Sequence, residues 1–352
     1  MEKKYTYEIY WLRCISCLAV VAIHAISSGV YLYSEDASAM SQNFLYAIQM
    51  GLMFGTPAFI FISEFLIAKS YPNGLPDGFF RKRIKFILVP YLVMSVVYAI
   101  IFVETSSISA IFVQSLRNAF LGDFVGYFIL IIFQFYILHY LLHKKLKDWK
   151  PKKVIGITLI INILYLAFFN FVPEPGSGSF SYFWSTGFWM LMPGWLFYFS
   201  LGYYTGKYYN TVIKFINRHK LFIIIMPVFL FLVVVVLRYL ELPDSTSSKR
   251  IDVIFYTTSM IFLIMFVSSK IKKAPNIVLF ISKYSFSIYL LHKLVVDTFG
   301  RLSDNIFTHT ILLFLIGIIF SIVVSSLVNK IPYGELIVGK LGRVPTSKNQ
   351  SY

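Results

Sequence analysis

The chain has 352 residues, of which 58% are hydrophobic and only 14% charged, and its mean hydropathy of +0.72 rules out a water-soluble globular domain of this length. A formal net charge of +16 would suit a nucleic-acid binder, but the basic residues alternate between the ends of apolar runs instead of gathering on one face. That alternation is the signature of a polytopic membrane protein.

A helix needs about 20 apolar residues to cross the ~30 Å hydrocarbon core of a bilayer. Ten such runs are predicted, near 7–31, 43–67, 84–103, 119–142, 154–171, 182–206, 221–237, 253–269, 276–299 and 309–328. With the N-terminus inside, the inner segments carry Lys3 and Lys4, then Lys69, Arg81, Lys82, Arg83 and Lys85, then the cluster at 144–153. The later inner segments carry Lys207, Lys214, Arg218 and Lys220, then Lys270, Lys272 and Lys273, and finally Lys330, Lys340, Arg343 and Lys348. The outer loops hold Arg117, Arg238, Lys249, Arg250 and Arg301. The expected fold is thus an all-α polytopic integral membrane protein with about ten transmembrane helices and both termini cytoplasmic. Residues 1–328 read as the transmembrane domain and 329–352 as a short basic cytoplasmic tail.

The first run is longer than the apolar core of a signal peptide and reads as a retained span. Its Cys14 and Cys17 lack the further ligands of a zinc site, so they are assigned to packing, with no redox or metal role. No metal is expected anywhere. The stretch LRCISCLAVVAIHA, residues 12–25, sets Arg13 in an apolar helix, where an arginine costs roughly 2.5–3.5 kcal/mol. His24 follows eleven residues later, three turns plus about 20° round the helix, so both project from one face ~16 Å apart along the axis. That face should look into a bundle interior or a wet cavity. The alternative is that Arg13 snorkels to inner-leaflet phosphates and His24 makes an interhelical hydrogen bond.

In the second run Glu64 lies near the cytoplasmic end, where an ion pair with Arg13 and a substrate-binding role are equal alternatives. The stretch FFRKRIKFILVPYL, residues 79–92, crowds Arg81, Lys82, Arg83 and Lys85 at the inner mouth before Pro90. This cluster is either a positive-inside signal or a place where guanidinium forks take phosphate, as a coenzyme A donor would need. The fourth run carries Gln134 at its middle, and His139 and His143 toward the cytoplasm, all fitting core or interfacial hydrogen bonding better than catalysis. Gly202 and Gly206 form a GxxxG suited to close helix packing. In SKYSFSIYLLHKLVVD, residues 282–297, Ser285, Tyr289 and His292 form a polar stripe, and His292 reaches a depth similar to that of His24. Lys293 and Asp297 are spaced to pair, and Lys283 to snorkel.

This set resembles the acyltransferase 3 family of bacterial integral membrane proteins over most of the chain. The resemblance is carried by the R-x10-H from Arg13 to His24, F-I-S-x-F-L at 61–66, R-x-K-x-x-x-x-P at 83–90, F-x-x-G at 199–202 and S-I-Y-L-L-H at 287–292. GTPAFIFIS, KRIKFILVPY and GYFILIIFQFYIL are most similar to its intercellular adhesion protein C branch, associated with poly-N-acetylglucosamine. Two positions depart from the family pattern: Glu64 stands where many members have glycine, and Phe86 where a second arginine is common. The extracellular esterase-like domain of the family's two-domain members is not expected here.

The resemblance implies a plasma-membrane O-acyltransferase that moves an acetyl or succinyl group from acyl-coenzyme A to a hydroxyl of a cell-surface glycan or its lipid-linked precursor. It implies catalytic roles for Arg13 and His24. His292 is expected to join them, with Arg81, Arg83 and Lys85 holding the donor, and Glu64, Tyr289, Ser285 and Gln134 as substrate-binding or structural support. Acyl-coenzyme A, most simply acetyl-coenzyme A, is the expected co-substrate. Expected partners are the glycan acceptor, membrane lipids and polysaccharide synthase subunits, with no nucleic acid. The rival expectation is an exporter or flippase of a poly-N-acetylglucosamine-type exopolysaccharide without acyl transfer.

Overall fold

A computed structural model describes residues 6–345 apart from 105, 106, 175, 177 and 272; Lys3, Lys4, Lys272 and Lys348 therefore lie outside the described residues. The described residues form helices and no strand. In chain order the α-helices are α1 Tyr7–Leu32, α2 Ala39–Leu52, α3 Gly55–Ser70, α4 Phe79–Arg83, α5 Val89–Phe102, α6 Ile108–Leu121, α7 Phe128–Asp148 and α8 Pro151–Phe171. They continue as α9 Ser179–Met190, α10 Leu196–Lys207, α11 Tyr209–Arg218, α12 Lys220–Tyr239, α13 Ile251–Ser269, α14 Asn276–Thr298 and α15 Ile306–Val328.

Among the described residues nine helical stretches are long and apolar enough to cross a membrane, so the chain is an all-α, multi-pass membrane protein. The count differs from the expected ten at 182–206. There the run splits into α9 and α10 around a 3-10 turn, Met192–Trp195, because Pro193 has no N–H to continue a helical ladder. Neither half is long enough to span alone. Two other runs are jointed: α2 and α3 meet at Met53 and Phe54, and α6 ends at Gly122 in the left-handed conformation (φ +69°) before α7 begins.

The chain divides into two compact units, residues 1–62, 209–325 and 341–352 in the first and 63–208 and 326–340 in the second. In the first unit α1 is the central element, with α2, α13 and α14 packed on it. Lipid tails are as apolar as leucine, so small residues that let helices approach matter more here than bulk hydrophobicity. A Cβ on Gly55 would lie 3.0 Å from the Ser16 carbonyl and 3.1 Å from Ala19 Cβ. Cys14, Cys17 and Val21 pack with Val278, Leu279, Ile281 and Ile288 of α14. Both cysteines are free and buried, and the Cys17 thiol donates to the Ser285 carbonyl at 3.7 Å. Residues 341–345 of the basic tail belong to the same unit: Gly342 N–H donates to the Lys283 carbonyl (2.8 Å) and Leu341 and Val344 join the core.

In the second unit Pro90 again shapes the path. The turn before it, Ile84–Leu88, widens into a π-helix, which absorbs the hydrogen bond that proline cannot donate. Gly206 supports the packing expected of its GxxxG, since a Cβ there would lie 2.5 Å from the Phe65 carbonyl oxygen and 3.1 Å from its Cα. Both contacts are backbone and cannot swing aside. Gly206→Ala is expected to destabilise the protein by about 1–3 kcal/mol, read as a lower melting temperature in detergent. Gly156→Ala, where nothing stands within 4 Å, is the neutral control.

Candidate functional site

The packing of α1 against α14 brings His24 and His292 together, with ring centroids 5.2 Å apart and planes inclined by 43°. His292 is fully buried, and its Nδ1–H donates to the Ile288 carbonyl one turn back at 2.8 Å. That bond fixes the tautomer and leaves Nε2 as the lone-pair nitrogen. Nε2 is buried and has no hydrogen-bond partner among the described residues. His24 is only partly buried. Arg13 is partly buried on the same helix, three turns earlier.

The polar stripe of α14 divides in two. Tyr289 is partly buried, whereas the Ser285 hydroxyl is spent on its own helix, donating to the Ser282 carbonyl at 3.0 Å. Lys293 pairs with Asp297 at 2.5 Å, as their spacing predicts.

Two residues that sequence reasoning placed only as outer-loop charges belong to this unit's architecture. Arg250 is fully buried and fills its five-donor fork. Nε and Nη2 donate to the two Asp252 carboxylate oxygens (3.0 and 2.9 Å), Nη1 to the Pro243 and Ser245 carbonyls (2.8 and 2.9 Å), and Nη2 also to the Leu242 carbonyl (3.3 Å). The connection from α12 to α13 is thus tied into one piece. Its neighbour Lys249 is held within electrostatic reach of the His24 ring, and burial pulls the Lys249 ammonium down to about 8. The R-x-D spacing before α13, after Pro243, was the available signal.

The second unit holds the other candidates. Glu64 is buried, and its carboxylate takes His139 Nδ1 at 2.5 Å. His139 is a partner that the sequence did not single out for Glu64, although Glu64 and His139 both lie near the basic ends of their helices. Arg83 lays its guanidinium over the rings of Phe79 (4.9 Å) and Tyr136 (5.3 Å). Arg81 and Lys85 are exposed, and the Lys85 ammonium lies 5.3 Å from the Phe86 ring centroid. These exposed cations can take phosphate oxygens. The Gln134 amide is engaged at both ends: its Nε2 donates to the Met190 carbonyl (2.9 Å) and its Oε1 accepts from Met192 N–H (3.0 Å). No three His, Cys, Asp or Glu side chains converge as a metal-ligand set among the described residues.

Chemically, the first unit offers a partly buried imidazole beside a second one whose lone pair is unused, a set suited to moving a proton. A family model described as an acyltransferase domain matches residues 6–330. A candidate membrane-bound acyltransferase, YfiQ, of Bacillus subtilis (strain 168) is 41% identical over 347 residues, 95% of this chain and 94% of that relative. A candidate poly-beta-1,6-N-acetyl-D-glucosamine export protein of Staphylococcus aureus (strain MSSA476) is 28% identical over 347 residues, 96% of this chain and 97% of the relative. A Staphylococcus epidermidis protein of the same description is 28% identical over 322 residues, 89% and 87% of the two chains. No solved structure matches the chain.

Proposed function

Because the chain belongs to the acyltransferase 3 family, we propose that it is a bacterial plasma-membrane O-acyltransferase that passes an acetyl or succinyl group from acyl-coenzyme A to a hydroxyl of a cell-surface glycan or its lipid-linked precursor. The observation that carries this reading is the His24–His292 pair, in which a partly buried ring is backed by a buried ring of fixed tautomer. His24 takes the proton of the acceptor hydroxyl as its oxygen bonds to the acyl carbon. The carbon–sulfur bond breaks, and the proton passes from His24 to the departing thiolate. His292 steadies the imidazolium that forms meanwhile on His24, and Tyr289 orients the acceptor.

Arg13, Arg81 and Lys85 are the groups offered to the donor's phosphates, with Arg83 available through its charged edge. The basic ends of the helices face the cytoplasm in this reading, which puts the donor on the side where it is made. Polysaccharide synthase subunits and membrane lipids are the natural neighbours of such an enzyme.

Mass spectrometry of the surface polysaccharide, with and without the gene and before and after mild alkaline de-esterification, tests the proposal. The gene should add an alkali-labile ester mass. An identical ester content in both strains overturns it. The second reading, an exporter without acyl transfer, is favoured by the description of the staphylococcal relatives as candidate export proteins. It predicts that deletion removes surface polysaccharide itself and that no ester was present beforehand.

A further inference from the structure

The second unit contains a cavity of about 280 Å³ that plays no part in the chemistry assigned to His24. It opens where α3 ends, against the last turns of α7 and the end of α10, and its polar lining includes Asn73, His139, His143, Lys147, Tyr203 and Lys207. None of the lining residues is acidic. Glu64, the carboxylate nearest in bonding terms, is buried and committed to His139.

The lining is held in place. Glu64 takes Nδ1 of His139, which orients a ring that lines the cavity. His143 Nδ1 donates to the Tyr140 carbonyl (3.0 Å), and its ring lies parallel to that of His139, centroids 6.3 Å apart and planes 7° apart. Gly74, at φ +120°, lets the loop pass beside His143: a Cβ there would come to 3.4 Å from His143 Nε2. Lys207 Nζ donates to the Lys147 carbonyl at 2.6 Å, which anchors one ammonium at the rim and satisfies a carbonyl in the last turn of α7. The lysines, histidines, Asn73 and the tyrosines Tyr71 and Tyr203 thus surround one small space.

We propose that this cavity binds a phosphate monoester dianion, the terminal phosphate of a larger ligand whose remainder stays outside. Charge decides the sign of the ligand, and size decides how much of it enters. A pocket that encloses a whole drug-sized molecule occupies about 300–1,000 Å³, so this one suits a phosphate and the atoms next to it. Lysine ammoniums give a phosphate charge-assisted hydrogen bonds about twice as strong as neutral ones. Two sources present this group to a membrane protein: the 3′-phosphate of a coenzyme A-type molecule, and the headgroup of a phosphate-terminated lipid.

The proposal concerns binding alone; its coenzyme A arm deepens the acyl-transfer reading and its lipid arm holds without it. The test uses the full chain in nanodiscs of neutral phosphatidylcholine. Binding of coenzyme A and dephospho-coenzyme A is measured by calorimetry, and inorganic phosphate is used as competitor. A second set of nanodiscs contains phosphatidic acid, and its effect on melting temperature is measured. Lys147→Gln and His143→Gln are compared with the wild type, with Lys147→Arg as the charge-preserving variant; both positions are only partly buried, and ligand-free melting temperatures verify folding.

If the source is coenzyme A, it should bind about tenfold more tightly than dephospho-coenzyme A, and Lys147→Gln should remove that difference. If the source is a lipid, phosphatidic acid should raise the melting temperature of the wild type and of Lys147→Arg but not of Lys147→Gln or His143→Gln. The proposal is overturned if Lys147→Gln and His143→Gln match the wild type toward every phosphate probe.

Discussion

Replacing His24 with alanine should lower ester formation on the surface glycan about 10²–10⁴-fold, the usual contribution of a positioned general base, while leaving the amount of glycan unchanged. The argument rests on which imidazole can meet a reactant. His24 is partly exposed on α1, whereas His292 is fully buried and pinned through Nδ1 to the Ile288 carbonyl. His292 therefore cannot step in when its neighbour is removed. His24→Gln should fail equally, because an amide keeps the shape and the polarity but does not accept a proton near neutral pH. Labelled acyl transfer in purified membranes and the ester-to-sugar ratio of cell-bound polysaccharide measure the effect. Normal ester content in His24→Ala would refute the assigned role, and loss of the polysaccharide with no ester lost would favour the exporter.

Arg250→Ala should be the most destabilising single change in the first unit, by about 3–5 kcal/mol. An exposed loop arginine is worth about 0–1 kcal/mol, and from the sequence alone this residue would be placed in that class. Its burial changes the expectation. The truncation strands the Asp252 carboxylate and three loop carbonyls that the guanidinium now satisfies. Lysine should recover little of the loss, since a point ammonium cannot fork to a carboxylate and reach carbonyls on the other side. Thermal unfolding in detergent, monitored by tryptophan fluorescence, measures the shift. Loosening of the loop should also release Lys249 from its place near His24, so activity should fall below what the lost folded fraction accounts for. An Arg250→Ala protein with the melting temperature of the wild type would show that the buried fork contributes nothing.

The fold was legible in the sequence where the physics is additive. Hydropathy summed over twenty residues marks a span whatever its neighbours do, and Lys293 with Asp297 needed only helical spacing. The joints were not legible, because a window average does not register that Pro193 or the pair Met53–Phe54 redirects the chain. Partner choice escaped for a different reason. Glu64 offers the same carboxylate to any cation at its depth, and only the packing of α3 and α7 within one unit selects His139. Ser285 has the register of a site residue, but its hydroxyl turned back on its own helix, an option open to any serine in an apolar span. For the proposed catalytic pair the sequence supplied depth and the structure supplied proximity.

The break between α9 and α10 leaves a carbonyl at Met190 and an N–H at Met192, and both are answered by the two ends of one glutamine amide on α7. Gln134 thus works as a borrowed peptide group. Lipid penalises bare backbone, so a rod that stops midway would ordinarily be forbidden. Here a side chain fifty-odd positions upstream mends the gap, and the permission for this stretch of chain to turn a corner is written in another helix altogether.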